Sequence, residues 1–253
     1  MKKVLILNYH NISRNNSKDN LYTITPETFK EHLILIQSLK IPIIRLENIF
    51  EHNIKENYSI ALSFDDGYKS DLTVVLPLLE ELKLSAIFFP IVERIGESDR
   101  LTWEDIKTIS NQGFEIGSHG LSHNNLTELS LNELEGELKE SKNTIEQKIN
   151  KKVKHFALPY GRYNNRIIAL AKSLDYKSIL TTGLKCNSVD QESFVLYRWN
   201  ITSDLNITKL RRVLQSNGML PIKLRITFHI KSLAKAILGS KIAEQIKRKY
   251  THG

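Results

Sequence analysis

Residues 60–67 read IALSFDDG, a run of apolar residues that ends in two adjacent acids and a glycine. The run is short and rich in Ile, Leu and Phe, as the buried strands of a parallel sheet are. Two carboxylates at the end of such a strand are costly to bury unless they are paired, hydrated or bound to a metal ion. They also drive their pKa values apart, which suits one as a metal ligand and the other as a base. A solvated Asp-Asp-Gly turn is the alternative interpretation of this segment alone.

Similar apolar segments recur along the chain, and helical patterns lie between them, one near 71–82 and others that begin at Thr25, Thr102, Ser130 and Asn164. The predicted strands are Val4–Asn8, Ile60–Phe64, Ala86–Val92, Phe114–Gly117, Val153–Leu158, Lys177–Thr181 and Leu196–Ile201. This alternation predicts an α/β fold with a parallel sheet, and seven or eight such units favour a closed (β/α) barrel. Functional side chains of a barrel cluster at the carboxyl ends of its strands.

A second polar motif follows another predicted strand, where residues 115–123 read EIGSHGLSH. His119 and His123 are four residues apart, so on a helical turn they would lie on one face and could bind the same ion. One Asp and these two His supply three ligands and leave a position open for water, whose pKa a divalent ion lowers. A free carboxylate beside that water could accept its proton, which completes a hydrolytic centre.

Together these motifs resemble those of the polysaccharide deacetylases with a NodB-type domain, carbohydrate esterase family 4. Ala61–Gly67 is similar to the family's first motif, Ser118–His123 to its second and Phe156–Gly161 to its third. Tyr9–Ile12 and the stretch from Trp103 to Gly117 resemble family members as well, so the similarity runs from about Val4 to Arg198. It implies a distorted (β/α) barrel, often with seven strands, the NodB-type glycoside hydrolase/deacetylase fold.

The resemblance also implies a role for each matching residue. Asp65 would be the general base, and Asp66, His119 and His123 would bind a divalent metal, most often zinc and sometimes cobalt or another ion. The backbone N–H of Tyr160 would help to hold the tetrahedral oxyanion.

Two positions depart from the family's pattern. The third motif usually begins with an Arg that orients the base, and here Ala157 stands at that position. Arg198, at the end of a later predicted strand, could replace it in space, although an ion-paired or surface Arg is the alternative. The family's last motif ends in a His that protonates the leaving amine. Here the alternating segment 222–231 predicts a strand with His229 near its end, a candidate for that acid.

Positive charge is concentrated at the end of the chain. Residues 205–253 hold eleven Lys or Arg and one acid, Glu244, so their net charge is +10. The first 204 residues have a net charge of −2, which gives the whole chain +8. We therefore expect a catalytic domain over 1–204 and a basic extension over 205–253 that packs on or completes the barrel. The basic helix predicted after Ser232 could lie on an anionic membrane surface or be merely solvated. No nucleic-acid partner is expected, because no recognised binding module accompanies the basic residues.

The first apolar run spans only four residues, Val4–Leu7, before Asn8, which is too short for a secretory signal and fits a first strand. With a single cysteine, Cys186, the chain fits a reducing compartment, and we expect it in the cytoplasm, with the inner membrane face as the alternative.

The sequence thus predicts a metal-dependent hydrolase that removes N-acetyl groups from a carbohydrate, in the setting of exopolysaccharide or cell-envelope synthesis that the resemblance implies. Two alternatives stay open. One is an O-acetyl esterase or other amide hydrolase with the same centre. The other is a non-catalytic glycan-binding or assembly protein that retains the fold.

Overall fold

The computed structural model of the chain describes residues 2–14, 21–50, 54–189 and 193–216. The predicted strand 222–231, with His229, and the basic helix after Ser232 lie outside the described residues, so these predictions remain predictions. The division of the chain at residue 205 likewise stays a prediction.

Within the described residues, seven parallel strands form the main sheet, and the seven strands predicted between Val4 and Ile201 are confirmed. They are β1 (Lys3–Tyr9), β4 (Tyr58–Asp66), β5 (Ile87–Pro90), β6 (Glu115–Ile116), β7 (His155–Ala157), β8 (Ser178–Thr182) and β10 (Val195–Asn200). Their order in the sheet is β6-β5-β4-β1-β10-β8-β7. An isolated parallel bridge between Ser118 and Phe156 joins the two outer strands, so the sheet curls into the distorted (β/α) barrel that we expected.

Three two-residue strands accompany the main sheet: β2 (Asn11–Ile12), β3 (Thr23–Ile24) and β9 (Asn187–Ser188). The first two pair with each other, and β9 lies antiparallel to β1. Inside the barrel, alternate strand residues form an apolar core that includes Ile6, Ala61, Phe89, Leu180 and Leu196. This core fills the barrel, so chemistry is left to the strand ends.

Helices connect the strands, and four of them begin where the sequence predicts. The α-helices are α1 (Pro26–Ser38), α2 (Leu76–Glu81), α3 (Trp103–Asn111), α4 (Leu131–Glu135), α5 (Ser141–Ile149), α6 (Asn165–Ser173) and α7 (Ile207–Gln215). Thr25, Thr102, Ser130 and Asn164 accept hydrogen bonds as N-caps, with capping boxes at Thr102 and Ser130. No helix of the described ranges is long and apolar enough to cross a membrane.

Two wide π-helical turns interrupt the helical layer. Asp71–Val75 leads directly into α2, and Gly136–Glu140 joins α4 to α5. The sequence predicts a regular helix over 71–82, and the π turn in its first part is a correction. Single π turns inside helices occur frequently at functional sites, because they reorient side chains that a regular helix would place elsewhere. The remaining helical turns are 3-10 turns at Leu46–Ile49, Val92–Arg94, Leu126–Glu128 and Pro159–Gly161.

Candidate metal centre

The polar residues of the candidate site meet at the edge of the barrel where the carboxyl ends of the parallel strands lie. Asp65 and Asp66 end β4, where they lie beside Phe89 and Pro90 of β5. The chain then turns sharply, because Asp66 and Gly67 both have positive φ, 76° and 65°. A Cβ on Gly67 would approach the Cβ of Pro90 to 3.0 Å, so this turn favours glycine.

Three side chains at this edge form a group that could hold one metal ion. One ligand atom each from Asp66, His119 and His123 lies within 4.8 Å of the other two. Nε2 of His119 is 3.5 Å, and Nε2 of His123 is 3.8 Å, from Oδ1 of Asp66. That Oδ1 is buried and has no hydrogen-bond partner among the residues that the structure describes. A buried carboxylate oxygen without a donor is expensive, and a divalent ion between it and the two imidazoles would satisfy it, so the residues fit the metal.

The two histidines present the nitrogens that a metal needs. Nδ1 of His119 lies 2.8 Å from the carbonyl oxygen of Ala157. Donation to that carbonyl places the proton on Nδ1 and leaves the lone pair of Nε2 for a ligand bond. Burial, and then the neighbouring His119, lower the pKa of His123 to about 4. His123 is therefore neutral at neutral pH, as a metal ligand must be.

Asp65 has a very different environment from its neighbour. Nη1 of Arg198 donates to its Oδ1 at 2.6 Å, and Nη2 donates to its Oδ2 at 2.8 Å. Nδ2 of Asn8 donates to Oδ2 at 2.9 Å, and Oδ1 of Asn8 accepts from Nη1 of Arg198 at 2.9 Å. Asp65, Arg198 and Asn8 are all at most 3% exposed.

This network determines the charge of Asp65. Burial alone would raise the pKa of Asp65, but the charge of Arg198, the neighbouring imidazoles of His119 and His10, and the hydrogen bonds from Arg198 hold it well below its usual range. A carboxylate has about four lone-pair positions, and the three donors occupy three of them. As far as the described residues go, one position is left for a proton or a water molecule.

Of the remaining predicted site residues, the structure describes Tyr160 but not His229. Tyr160 lies on the turn Pro159–Gly161 with a positive φ of 58°, and its ring centroid is 4.9 Å from that of His123. The structure thus brings Tyr160 to the site together with Asp65, Asp66, His119, His123 and Arg198. His229 lies outside the described residues.

Several polar residues at this edge were not among the predicted site residues. Asn8 is the next-to-last residue of β1 and could have been found as the polar residue near the end of a buried strand. His10 has a buried Nδ1 without a hydrogen-bond partner, and its ring packs 4.6 Å from that of Tyr22. Asp71, in the first π turn, is fully buried with neither oxygen hydrogen-bonded, and burial raises its pKa well above the usual value. Glu137, in the second π turn, contacts the loop that carries the histidines.

Comparison with known proteins agrees with this geometry. The family model described as polysaccharide deacetylase matches residues 52–179, which is half of the chain. A Bacillus subtilis protein named "Putative polysaccharide deacetylase YxkH" is 27% identical over 220 residues, covering 81% of this chain and 73% of its own. A peptidoglycan-N-acetylglucosamine deacetylase of Bacillus cereus is 32% identical over 122 residues, covering 48% of this chain and 55% of its own.

The fold is also similar to that of solved structures. The Streptococcus pyogenes deacetylase PplD, solved in complex with acetate, superposes with a TM-score of 0.77 at 24% identity, covering 87% of this chain and 99% of its own. This supports the NodB-type fold. Because the family model spans the motifs at Asp65–Asp66, at His119–His123 and at Tyr160, the chain belongs to the polysaccharide deacetylase family.

Proposed function

We propose that this protein hydrolyses the N-acetyl group of a carbohydrate, releasing acetate and a free amine. Asp66, His119 and His123 would hold one divalent ion, and their mixture of oxygen and imidazole donors suits zinc, with cobalt as an alternative. The observation that carries this proposal is the buried Oδ1 of Asp66, which faces two imidazole nitrogens and has no hydrogen-bond partner within the described part of the chain. When bound, such an ion acidifies water and polarises the substrate carbonyl.

Asp65 is the general base in this proposal. Its free lone-pair position can accept the proton of the attacking water, while the three donors hold the carboxylate in one orientation. Because these donors also stabilise its charge, Asp65 is a weak base, suited to water whose own pKa has been lowered.

Arg198 orients that base. Its guanidinium binds both oxygens of Asp65, so it supplies from β10 what the family's third motif usually supplies from the position of Ala157. A planar two-donor contact fixes both the position and the plane of the carboxylate.

The backbone N–H of Tyr160 would stabilise the oxyanion of the tetrahedral intermediate. Its support is the placement of the turn 159–161 beside His123. The acid that protonates the leaving amine is His229 in the sequence-based proposal. His10 is a second candidate, because the unpartnered Nδ1 of its ring is buried near Asp65 and Asp66.

The substrate class is an acetylated glycan. N-deacetylation releases an amine, whereas hydrolysis of an O-acetyl ester releases an alcohol. A panel of matched N-acetylated and O-acetylated oligosaccharides tests which of the two reactions the protein catalyses. We expect acetate release from the N-acetylated members, loss of release after chelation and recovery with Zn²⁺ or Co²⁺. Release only from the O-acetylated members would favour the esterase. Saturable glycan binding with no release from any member, with metal present, would favour a non-catalytic glycan-binding protein.

Peripheral membrane association through the basic tail stays a prediction.

The two acid candidates can be separated with the same assay. Comparison of His229→Ala with His10→Ala on a substrate with a good leaving group and on an N-acetylated sugar identifies the acid, because loss of an acid is least harmful when the leaving group needs no proton.

A further inference from the structure

The loop that carries both candidate histidine ligands rests on a buried acid from the helical layer. Glu137 is 5% exposed and lies in the π turn Gly136–Glu140 between α4 and α5. From this wide turn the carboxylate of Glu137 contacts residues 121 and 122, which lie between His119 and His123.

Every contact of this carboxylate with the loop comes from a donor. The N–H of Leu121 donates to Oε2 at 2.7 Å. The N–H of Ser122 is shared between Oε1 and Oε2, each at 3.3 Å, and Oγ of Ser122 donates to Oε1. Two oxygens that both accept are needed here, so a carboxylate fits and an amide of the same shape does not.

The backbone on either side of these contacts adopts conformations that need support. Gly120 and His123 have positive φ, 84° and 66°. A Cβ at Gly120 would lie 2.6 Å from Oε2 of Glu137, so the glycine also provides the space that the carboxylate occupies. A non-glycine residue such as His123 holds a left-handed conformation only where its surroundings enforce it.

A chain of hydrogen bonds links the loop to the same π turn a second time. The N–H of Gly120 donates to Oγ of Ser118 at 3.1 Å, Oγ of Ser118 donates to Oγ of Ser141 at 2.7 Å, and Oγ of Ser141 donates to the carbonyl of Glu137 at 2.5 Å. Ser118 and Ser141 are fully buried. Both the side chain and the backbone of Glu137 thus hold the histidine loop.

We propose that Glu137 is a positioning residue for the metal centre, which keeps the imidazole of His123 within reach of the ion bound by Asp66 and His119. The inference rests on the proposed metal site. It assigns a role in ligand geometry to a residue that touches neither metal nor substrate, since supporting residues of this kind tune metal affinity.

The test compares Glu137→Gln with Glu140→Gln, which removes the same charge from an exposed position of the same π turn. The probe is Zn²⁺ alone, measured by competition with a chromophoric chelator. We expect Glu137→Gln to bind Zn²⁺ about 10–100-fold more weakly than the wild type, and Glu140→Gln to stay within about twofold of it. Ser122→Ala, which removes one of the donors, should weaken binding to an intermediate extent.

A double-mutant cycle with His123→Ala separates positioning from general stability. If Glu137 acts through His123, Glu137→Gln changes Zn²⁺ affinity in the wild type but not in the His123→Ala background. Equal losses of Zn²⁺ affinity in both backgrounds would overturn this inference and leave the proposed metal site intact. The same conclusion would follow if Glu137→Gln bound Zn²⁺ as tightly as the wild type. If Glu137→Gln does not fold, unchanged affinity in Ser122→Ala overturns it. A wild type that binds no Zn²⁺ would instead overturn the proposed metal site, and the inference with it.

Discussion

Asp65 and Asp66 are neighbours in the chain and opposites in their surroundings. Asp65 receives three hydrogen bonds from Arg198 and Asn8. Asp66 has a buried oxygen with no donor, which faces two imidazole nitrogens. The two carboxylates of one strand end are thus prepared for different tasks, because one is neutralised within the protein and the other is left for a ligand from outside. The same difference in environment separates an acid from a base in other enzymes.

The largest expected effect comes from removing a ligand on the Asp66 side. His119→Ala should weaken metal binding by more than about 100-fold, beyond the range of changes to residues that only support a ligand, and abolish acetate release. Metal analysis after dialysis, with acetate release in the same sample, measures both. The control is His32→Ala, since His32 is a buried histidine of α1 that contacts Tyr9. Retention of a full equivalent of metal by His119→Ala would remove His119 from the site.

Removing the cation on the Asp65 side should spare the metal and impair turnover. Arg198→Ala leaves a buried carboxylate without its ion pair, so we expect destabilisation by about 3–5 kcal/mol and a fall in kcat of about 100-fold or more. Urea unfolding and steady-state kinetics on the metal-loaded protein measure these. Arg198→Lys keeps the charge without the planar fork and should recover stability better than turnover. Unchanged turnover in Arg198→Ala would refute the positioning role.

The pH dependence of activity should change with Arg198 as well. In the wild type Asp65 stays ionised, since its pKa lies well below the usual range. Burial favours the neutral acid and Arg198 favours the charge, so removal of Arg198 raises the pKa of Asp65. The acidic limb of kcat/KM against pH should therefore move to higher pH in Arg198→Ala, while in Arg198→Lys it should move less. An acidic limb at the wild-type position in Arg198→Ala would argue against Asp65 as the base.

Asn8 should give the smallest of these effects. Asn8→Ala removes one donor to Asp65 and the acceptor of Oγ of Ser63, so we expect a loss of about 1–3 kcal/mol in the free energy of unfolding and a fall in turnover of about tenfold. Asn200→Ala is the control, because Asn200 contacts Asn8 rather than Asp65. A fall in turnover as large as that of Arg198→Ala would mean that Asn8, and not the cation, holds the base.

The sequence predicted the seven strands because their apolar runs are distinct, and it predicted the helix starts because Thr25, Thr102, Ser130 and Asn164 are typical N-caps. It also predicted that motifs at different strand ends would meet. The contact between Arg198 and Asp65 depends on which strands are neighbours, and β1 lies between β4 and β10, which are far apart in the chain. Local patterns carry no such information, so Arg198 could only be suggested.

The supporting residues were harder to predict. Glu137 and Asp71 belong to helices whose amphipathic pattern looks regular, while the structure places both in π turns. A single extra residue in a helical turn leaves no clear trace in a pattern with a period of 3.6 residues, although it changes which side chains face the site. Asn8 was read only as the end of a strand.

The account depends most directly on the division of labour between Asp65 and Asp66. Asp65→Asn and Asp66→Asn are adjacent changes that remove the same charge and keep the same shape, and the measurement is metal content beside acetate release from an N-acetylated oligosaccharide. We predict that Asp65→Asn keeps about one ion per chain and loses acetate release, whereas Asp66→Asn loses the ion and the activity together. Loss of the ion from both variants, or its retention in Asp66→Asn, would contradict the assignment of one carboxylate to the base and the other to the metal.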